Sequence, residues 1–466
     1  MSKKIFFILC VVCFVQLGFA SPVKRALIIG IDKYEPDDPK LINTASGRLR
    51  FFNLDGCIAD ALSMNEMLQS KYAFQSANIS MLQNTQASRA GILKALNDLL
   101  EASHSGDVVV FYYAGHGSQV YNSLSTEDDK KDESIVPADS YSGVSDIRDK
   151  ELGVIYNKFL DKGVILTVIF DSCHSGSSAR GPMTDDDSKS RLLPDQTVDA
   201  KDATTFIAPE ERGALIISAA QDFESAMEQK DENNHPHGAF TYSFLKALQQ
   251  LPGEASASEI FESTRAIMKY NGKKQEPVIA GSEKRLSENL LGIDKSEVPN
   301  EITVAVIKSF SKDSIQMQGG LAVGLNVGAV LIRKTSNGDS IKLKVTSLSG
   351  VNRCYAKTIC GGAVTAGEMF KLSQFAVGSS PALTVYAVQT NFTVADLLAV
   401  NEDLLSQIGP QYKLINDASA DDPDATIFFN GKNWVFSTKT SQVDIGTNNL
   451  QLKQVLTKAT SVKSIF

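Results

Sequence analysis

Long apolar runs are scarce in this chain. The one that stands out is Ile5 to Phe19, at the N-terminus. It is too short for a comfortable transmembrane span. It follows the basic pair Lys3 and Lys4 and leads into Gly18-Phe19-Ala20, the layout of a secretory signal peptide. Residues 1–20 are therefore expected to be removed, giving a secreted or periplasmic protein without a transmembrane span. Cysteine is also sparse, with six in 466 residues. Cys10 and Cys13 leave with the signal. The other four, Cys57, Cys173, Cys354 and Cys360, are too few for a disulfide framework. Cys354 and Cys360 lie close enough in a β-like stretch for an exported protein to join them, whereas Cys57 and Cys173 are expected as free thiols. A surplus of positive charge is missing too: 46 Lys and Arg face 54 Asp and Glu, a formal net charge of −8. That argues against a nucleic-acid partner and is compatible with cationic ones.

A chain of this length allows roughly three domains. From residue 21 to about 295 the pattern alternates strand and helix, which implies an α/β fold. The expected sheet is of mostly parallel strands flanked by helices. Lys24 to Ile31 opens as a buried strand, Asp55 to Tyr72 reads as a helix, and Ile79 to Leu82 as a short strand. Ser88 precedes an amphipathic helix with Ile92, Leu96, Leu99 and Leu100 on one face. Val108 to Phe111 and Val164 to Phe170 are further strands, with a helix near Gly153 to Leu160 between them. Ala214 to Ser218 and Ala239 to Leu251 complete the series. The stretch 178–212 interrupts it, rich in Asp, Ser, Thr and Pro, and reads as a long flexible loop. Its basic residues Arg180, Lys189, Arg191, Lys201 and Arg212 are candidate cleavage points. Residues 296–376 change style to a small antiparallel β domain, barrel or sandwich, with a hairpin at Asn337-Gly338. Residues 377–466 read as an α+β region, with a helix near Val394 to Gln407 and a hairpin at Asn430-Gly431. There are no internal repeats.

Two strand ends carry chemistry. The first continues into Tyr112-Tyr113-Ala114-Gly115-His116-Gly117-Ser118 and the second into Asp171-Ser172-Cys173-His174-Ser175-Gly176. Open α/β sheets place their sites at the carboxyl ends of strands. A thiol needs a base or a depressed pKa to become a nucleophile. His116, one of five histidines and held between glycines, can be that base for Cys173. His174 is a rival, but chain neighbours tend to point apart. A glycine after the His leaves an unobstructed N–H, so the amides of Gly117 and Cys173 are the natural oxyanion donors.

These motifs resemble the caspase-like cysteine peptidases, in their metacaspase branch. Leu54 to Ala61, Asp132 to Asp139, Ser218-Ala219-Ala220, Gly238 to Tyr242 and Gln275-Glu276-Pro277 extend the resemblance over about 23–292. It implies an acyl-enzyme mechanism on a Cys-His dyad. It also implies an acidic specificity pocket from Asp60 and Asp171, lined by Cys57, hence peptide or protein substrates cleaved after Arg or Lys. Read by themselves, Asp171 could be a cap or turn residue and Asp60 a solvated helix position. Ala114 stands where the family often has Ser, which removes one hydrogen-bonding wall. The family commonly binds calcium, and Asp132 and Asp149 match two ligand positions. Lys150 and Arg180 replace further carboxylates, so the site reads as degraded and no cofactor is required; Glu127-Asp128-Asp129 reads as a solvated loop. The expected protein is a monomeric exported endopeptidase that processes itself within 178–212. The alternatives are a catalytically silent adapter on the same fold, or a surface-binding protein whose C-terminal half binds cell-surface material or inhibits the enzyme.

Overall fold

Seven consecutive residues, Val108 to Ala114, are all buried. A strand can hide both faces only if helices cover both sides of its sheet, and that is the arrangement in the computed structural model. It describes residues 22–173, 190–221, 224–293, 302–335 and 337–376, together with strand segments between 383 and 447. In chain order, the first part runs β1 (Lys24–Gly30), α1 (Cys57–Ser70), β2 (Ile79–Gln83), α2 (Arg89–Ala102), β3 (Val108–Ala114), β4 (Gly117–Tyr121), β5 (Lys131–Ile135) and β6 (Ile147–Arg148). It continues with α3 (Asp149–Asp161), β7 (Ile165–Asp171), β8 (Leu215–Ser218), β9 (Glu228–Lys230), β10 (Pro236–Gly238), α4 (Ala239–Gln250), α5 (Ala257–Tyr270), β11 (Val278–Ala280) and α6 (Glu283–Ser287).

The main sheet has the order β11-β8-β7-β3-β1-β2. Its strands are parallel except β11, which runs against β8. From β1 the chain goes outward to β2 and then returns to β3 on the other side. The carboxyl ends of β1 and β3 therefore flank a topological switch point, where open α/β sheets form a crevice. β7 lies next to β3, and Ala114 pairs with Asp171 at their ends. The helices are set by local signals: the Ser88 hydroxyl accepts the N–H of Gly91 to start α2, and Ser256 and Glu259 form a capping box on α5. The helix expected near Gly153 begins earlier, at Asp149, because Arg148 and Glu151 close its first turn. β4, β5 and β6 form a separate antiparallel sheet beside the site, and β9 and β10 a short hairpin.

Residues 302–376 form a closed barrel. Its strands are β12 (Thr303–Ser311), β13 (Ser314–Gln318), β14 (Val330–Lys334), β15 (Ser340–Ser349), β16 (Arg353–Cys360) and β17 (Met369–Gln374), in the order β12-β13-β16-β15-β14-β17. The Asn337-Gly338 turn joins β14 to β15 as an antiparallel pair, with Gly338 at φ 85°. Cys354 is buried and Cys360 exposed on the same strand, and both are free thiols, as are Cys57 and Cys173. Ala305, Ile307 and Met369 of the barrel pack on Ala266 of α5. The last sheet is β18 (Leu383–Ala387), β19 (Tyr412–Ile415), β20 (Ala425–Phe429), β21 (Asn433–Ser437) and β22 (Gln442–Thr447), with the expected hairpin between β20 and β21. The helix expected near Val394 to Gln407 lies outside the described residues. So do the signal segment 1–20, His174 and Arg180. No helix of the described residues is long and apolar enough to cross a membrane.

Candidate active site

His116 follows β3 and Cys173 follows β7, so neighbouring parallel strands deliver them to one crevice. Both are buried. The loops touch through Gly117: a Cβ there would lie 1.4 Å from the Cys173 carbonyl oxygen, so only glycine fits. The His116 ring Nε2 is 2.8 Å from the Phe52 carbonyl oxygen. As donor in that bond, Nε2 carries the proton and Nδ1 keeps its lone pair. Among the described residues the buried Nδ1 has no hydrogen-bond partner. Tyr34 holds the backbone, its hydroxyl accepting the His116 N–H at 2.8 Å while its ring lies 4.6 Å from the imidazole. Burial, with help from the Arg48 and Arg191 charges, pushes the imidazole down to about 3, against the opposing Phe52 bond. The ring is therefore a neutral base. The Cys173 sulfur accepts the Ala226 N–H at 2.9 Å, a contact that favours thiolate.

The centre of the site is a residue read from the sequence only as a cleavage point. Within the described part of the 178–212 segment, residues 190–196 are packed, whereas 197–207 run largely exposed without regular structure. Ser190 bridges Met227, Leu192 bridges Gly117 and Gln196 bridges Val120. The Arg191 N–H donates to the Ala226 carbonyl at 2.8 Å. The Arg191 carbonyl oxygen accepts from Gly117 N–H at 2.9 Å and from Cys173 N–H at 3.3 Å, the two amides expected as oxyanion donors. Beyond it, Leu193 N–H donates to the Gly117 carbonyl at 3.0 Å, and Arg48 Nε binds the Pro194 carbonyl at 2.7 Å. The chain thus crosses the crevice through isolated bridges on either side of Arg191, with the Arg191 carbonyl held on the amides of Gly117 and Cys173.

The Arg191 side chain is fully buried in the acidic pocket. Its Nη2 is 2.6 Å from Asp60 Oδ2 and its Nη1 3.0 Å from Asp171 Oδ2. Neither aspartate is a solvated surface position; both are buried. A third carboxylate, Glu228, reaches Nη2 at 3.4 Å. Burial opposes the guanidinium charge, but Asp171, Asp60 and Glu228 hold it well above its ordinary value. Burial likewise pushes Asp171 and Glu228 up, with Arg191 pulling the other way. The same two oxygens are also held by the frame: Asp60 Oδ2 accepts Gly238 N–H at 2.8 Å, and Asp171 Oδ2 accepts Thr241 N–H at 3.0 Å, while Asp171 Oδ1 has no hydrogen-bond partner among the described residues. Gly238 has no room for a side chain, since its Cβ would fall 2.1 Å from Asp171 Oδ2. His237 Nδ1 lies 2.9 Å from Asp60 Oδ1, and that bond raises its imidazole above the ordinary value. Cys57 opens α1 behind Asp60. Its N–H is held by Asp32 Oδ1 at 2.7 Å, and burial pushes its thiol up. Ala114 is buried at the end of β3 and offers no side-chain hydrogen bond.

Asp132 and Asp149 sit apart from this pocket, on β5 and at the start of α3. Asp132 is buried with both oxygens already bound by cations: Oδ1 by the Lys150 ammonium, Oδ2 by Arg148 Nη1 at 2.9 Å. Lys150 also donates to Ser125 Oγ at 2.8 Å. Calcium needs six to eight oxygen ligands, and an ammonium fixed on one of the expected carboxylates does not fit that set. Asp149, with Oδ1 unpartnered among the described residues, is pushed up to about 6 by burial. Its carboxylate lies near those of Glu127 and Glu133, all within 4.8 Å. Glu127 is half-buried and joins this cluster from its loop, while Asp128 and Asp129 are exposed.

Residues 24–182 match the family model described as the metacaspase peptidase C14 domain. Among curated relatives, Metacaspase-1A of Aspergillus niger is 35% identical over 161 residues, which are 33% of this chain and 36% of that protein. Metacaspase-1 of Schizosaccharomyces pombe is 33% identical over 34% of this chain and 36% of its own. Metacaspase-3 of Arabidopsis thaliana is 30% identical over 42% of this chain and 56% of its own. The chain thus spans between 36% and 56% of the length of these relatives. The barrel and the last sheet lie beyond the matched family domain. Strands, motifs and relatives converge on residues 24–182, which carry a domain similar to the caspase-like metacaspase peptidases.

Proposed function

We propose that this protein is an exported cysteine endopeptidase that cleaves after Arg or Lys and processes itself between Arg191 and Leu192. One observation carries the reading. Arg191 places its guanidinium between Asp60 and Asp171 while its carbonyl oxygen accepts from the amides of Gly117 and Cys173. That is the posture of a substrate with a basic side chain before the scissile bond. Nδ1 of His116 takes the thiol proton, and the sulfur of Cys173 attacks the Arg191 carbonyl carbon. The negative charge that forms on its oxygen meets two N–H donors already in place. Collapse breaks the C–N bond, the Leu192 amine leaves with the proton from His116, and water then releases the acyl group from the sulfur. Arg fits better than Lys, because its forked guanidinium reaches Asp60 and Asp171 at once. Lys150 and Arg148 already neutralise Asp132, which supports a reaction that does not call on calcium there. The N-terminal apolar segment supports export.

The test is incubation of the purified protein, then mapping of new N-termini and assay on fluorogenic peptides ending in Arg, Lys or Asp, with and without calcium. A new terminus at Leu192 and turnover of Arg and Lys peptides, both lost in Cys173→Ala, are expected. Turnover of Asp peptides alone would overturn the pocket assignment. Activity surviving in Cys173→Ala would overturn the mechanism.

A further inference from the structure

The barrel is charged opposite to the chain that carries it. Residues 302–376 hold nine Lys and Arg against three Asp and Glu, whereas the whole chain has 46 against 54. The excess gathers at one rim, where the end of β12, the start of β13, the end of β16 and the start of β15 lie side by side. Lys344 is paired directly with Lys357 across β15 and β16. Both are exposed, while their neighbours Leu343, Val345 and Ala356 face the barrel core. Like charges directly opposite each other destabilise a ladder, so this pair calls for an anion. Lys342 points to the same outer face, two residues back. Lys312 joins the cluster because its carbonyl accepts the Thr358 N–H at 2.7 Å. Lys308 lies over the Phe310 ring, 5.0 Å from its centroid. Among the described residues none of these five lysines has an ion-pair partner. Asp313 and Asp339, at the two adjoining turns, are the acids nearby. Between the lysines stand Phe310, 57% exposed, and Ile359, 47% exposed.

We propose that this rim docks the protein onto an anionic phospholipid surface. The lysines meet headgroup phosphates, and Phe310 and Ile359 enter the boundary between headgroups and acyl chains. Basic residues around a few exposed apolar side chains are what interfacial binding requires. A nucleic acid would use the lysines and could stack a base on Phe310, but it has no use for an exposed aliphatic Ile359 beside them. The rim is independent of the peptidase site, so neither reading depends on the other.

The experiment is co-sedimentation of the full-length protein with vesicles of phosphatidylcholine, alone or mixed with phosphatidylglycerol, across a salt series. Binding to the mixed vesicles only, falling as salt rises, is expected. Replacing Lys344 and Lys357 together by Ala lowers the partition by about 25-fold, at roughly fivefold per lysine. The pair Phe310→Ser and Ile359→Ser weakens what binding persists at high salt, and both variants keep the parent melting temperature and peptidase rate on a short peptide. Equal binding to neutral vesicles, or undiminished binding by the double-lysine variant, would overturn the proposal. Displacement from the vesicles by duplex DNA at equal phosphate concentration would assign the rim to nucleic acid instead.

Discussion

Two buried acidic clusters in the same domain are each neutralised by a cation from the chain itself. In one, Arg191 is held by Asp60, Asp171 and Glu228; in the other, Lys150 and Arg148 are held by Asp132. The difference lies in where the cation is tethered. Lys150 belongs to the first turn of α3 and stays as long as the helix does. Arg191 belongs to a segment that crosses the crevice beside Cys173, and the proposed cut after it would free its carboxyl side from Leu192. Under the proposed function, the first cluster is a pocket that the chain fills provisionally. The second is a joint that it fills for good. In both, removing one partner of a buried pair leaves an uncompensated charge, at a cost of about 3–5 kcal/mol.

The comparison breaks most visibly at Asp171. Asp171→Asn keeps the shape but removes a buried charge from the pocket, and kcat/KM for Arg peptides should fall about 10²- to 10³-fold. A drop of less than tenfold would mean that the pocket does not hold the substrate cation. The paired variants Arg191→Gln and Lys150→Met come next. Each should lose about 3 kcal/mol in urea unfolding, but only Arg191→Gln should turn over added Arg peptides without prior processing. If Lys150→Met gains activity as well, the two clusters are not the different devices described here.

Acid should also separate folded from unfolded behaviour at His116. Its folded pKa of about 3 lies below the ordinary 6.5, so between those values the unfolded chain binds a proton that the native state refuses. Stability therefore falls as pH drops from about 6.5 towards 3, and His116→Gln should flatten that limb in urea midpoints measured against pH. Glu224 acts oppositely. Burial raises it from 4.5 to about 8, so its contribution is full below 4.5 and is lost as pH rises through 8. The smallest effect is expected at Glu228, the most distant carboxylate from Arg191: Glu228→Gln should shift the Arg-over-Lys preference by about fivefold, read as the ratio of the two kcat/KM values.

What was legible in the sequence was what strand periodicity and short motifs encode. Val108 to Phe111 and Val164 to Phe170 gave the two strands, and their pairing brings His116, Gly117, Cys173 and Asp171 together. Asp60 and Cys57 came through the resemblance and fall on the buried face of α1. Glu228, His237 and Phe52 carried no such mark. Each acts through a contact between segments far apart in sequence, 173 residues in the case of Glu228 and Asp55. Arg191 was visible only as one basic residue among five in a polar stretch. Its burial depends on backbone bridges to Gly117 and Met227, which leave no periodic trace. The barrel was legible as β structure because its turns carry Asn-Gly and its strands alternate, but closure depends on β12 meeting β17, a pairing of chain ends.

The bond from His116 to the Phe52 carbonyl has a consequence for anyone who dissects this protein by mutagenesis. The group that fixes the imidazole tautomer belongs to the main chain, and every amino acid supplies the same carbonyl. An alanine scan is blind to it, and Phe52→Ala would report only on a lost ring. A genetic screen would therefore count two reactive residues where the proposed chemistry uses three groups. Moving the third requires altering the path of the polypeptide between Phe51 and Leu54, by insertion, deletion or a proline, and not the identity of any one side chain.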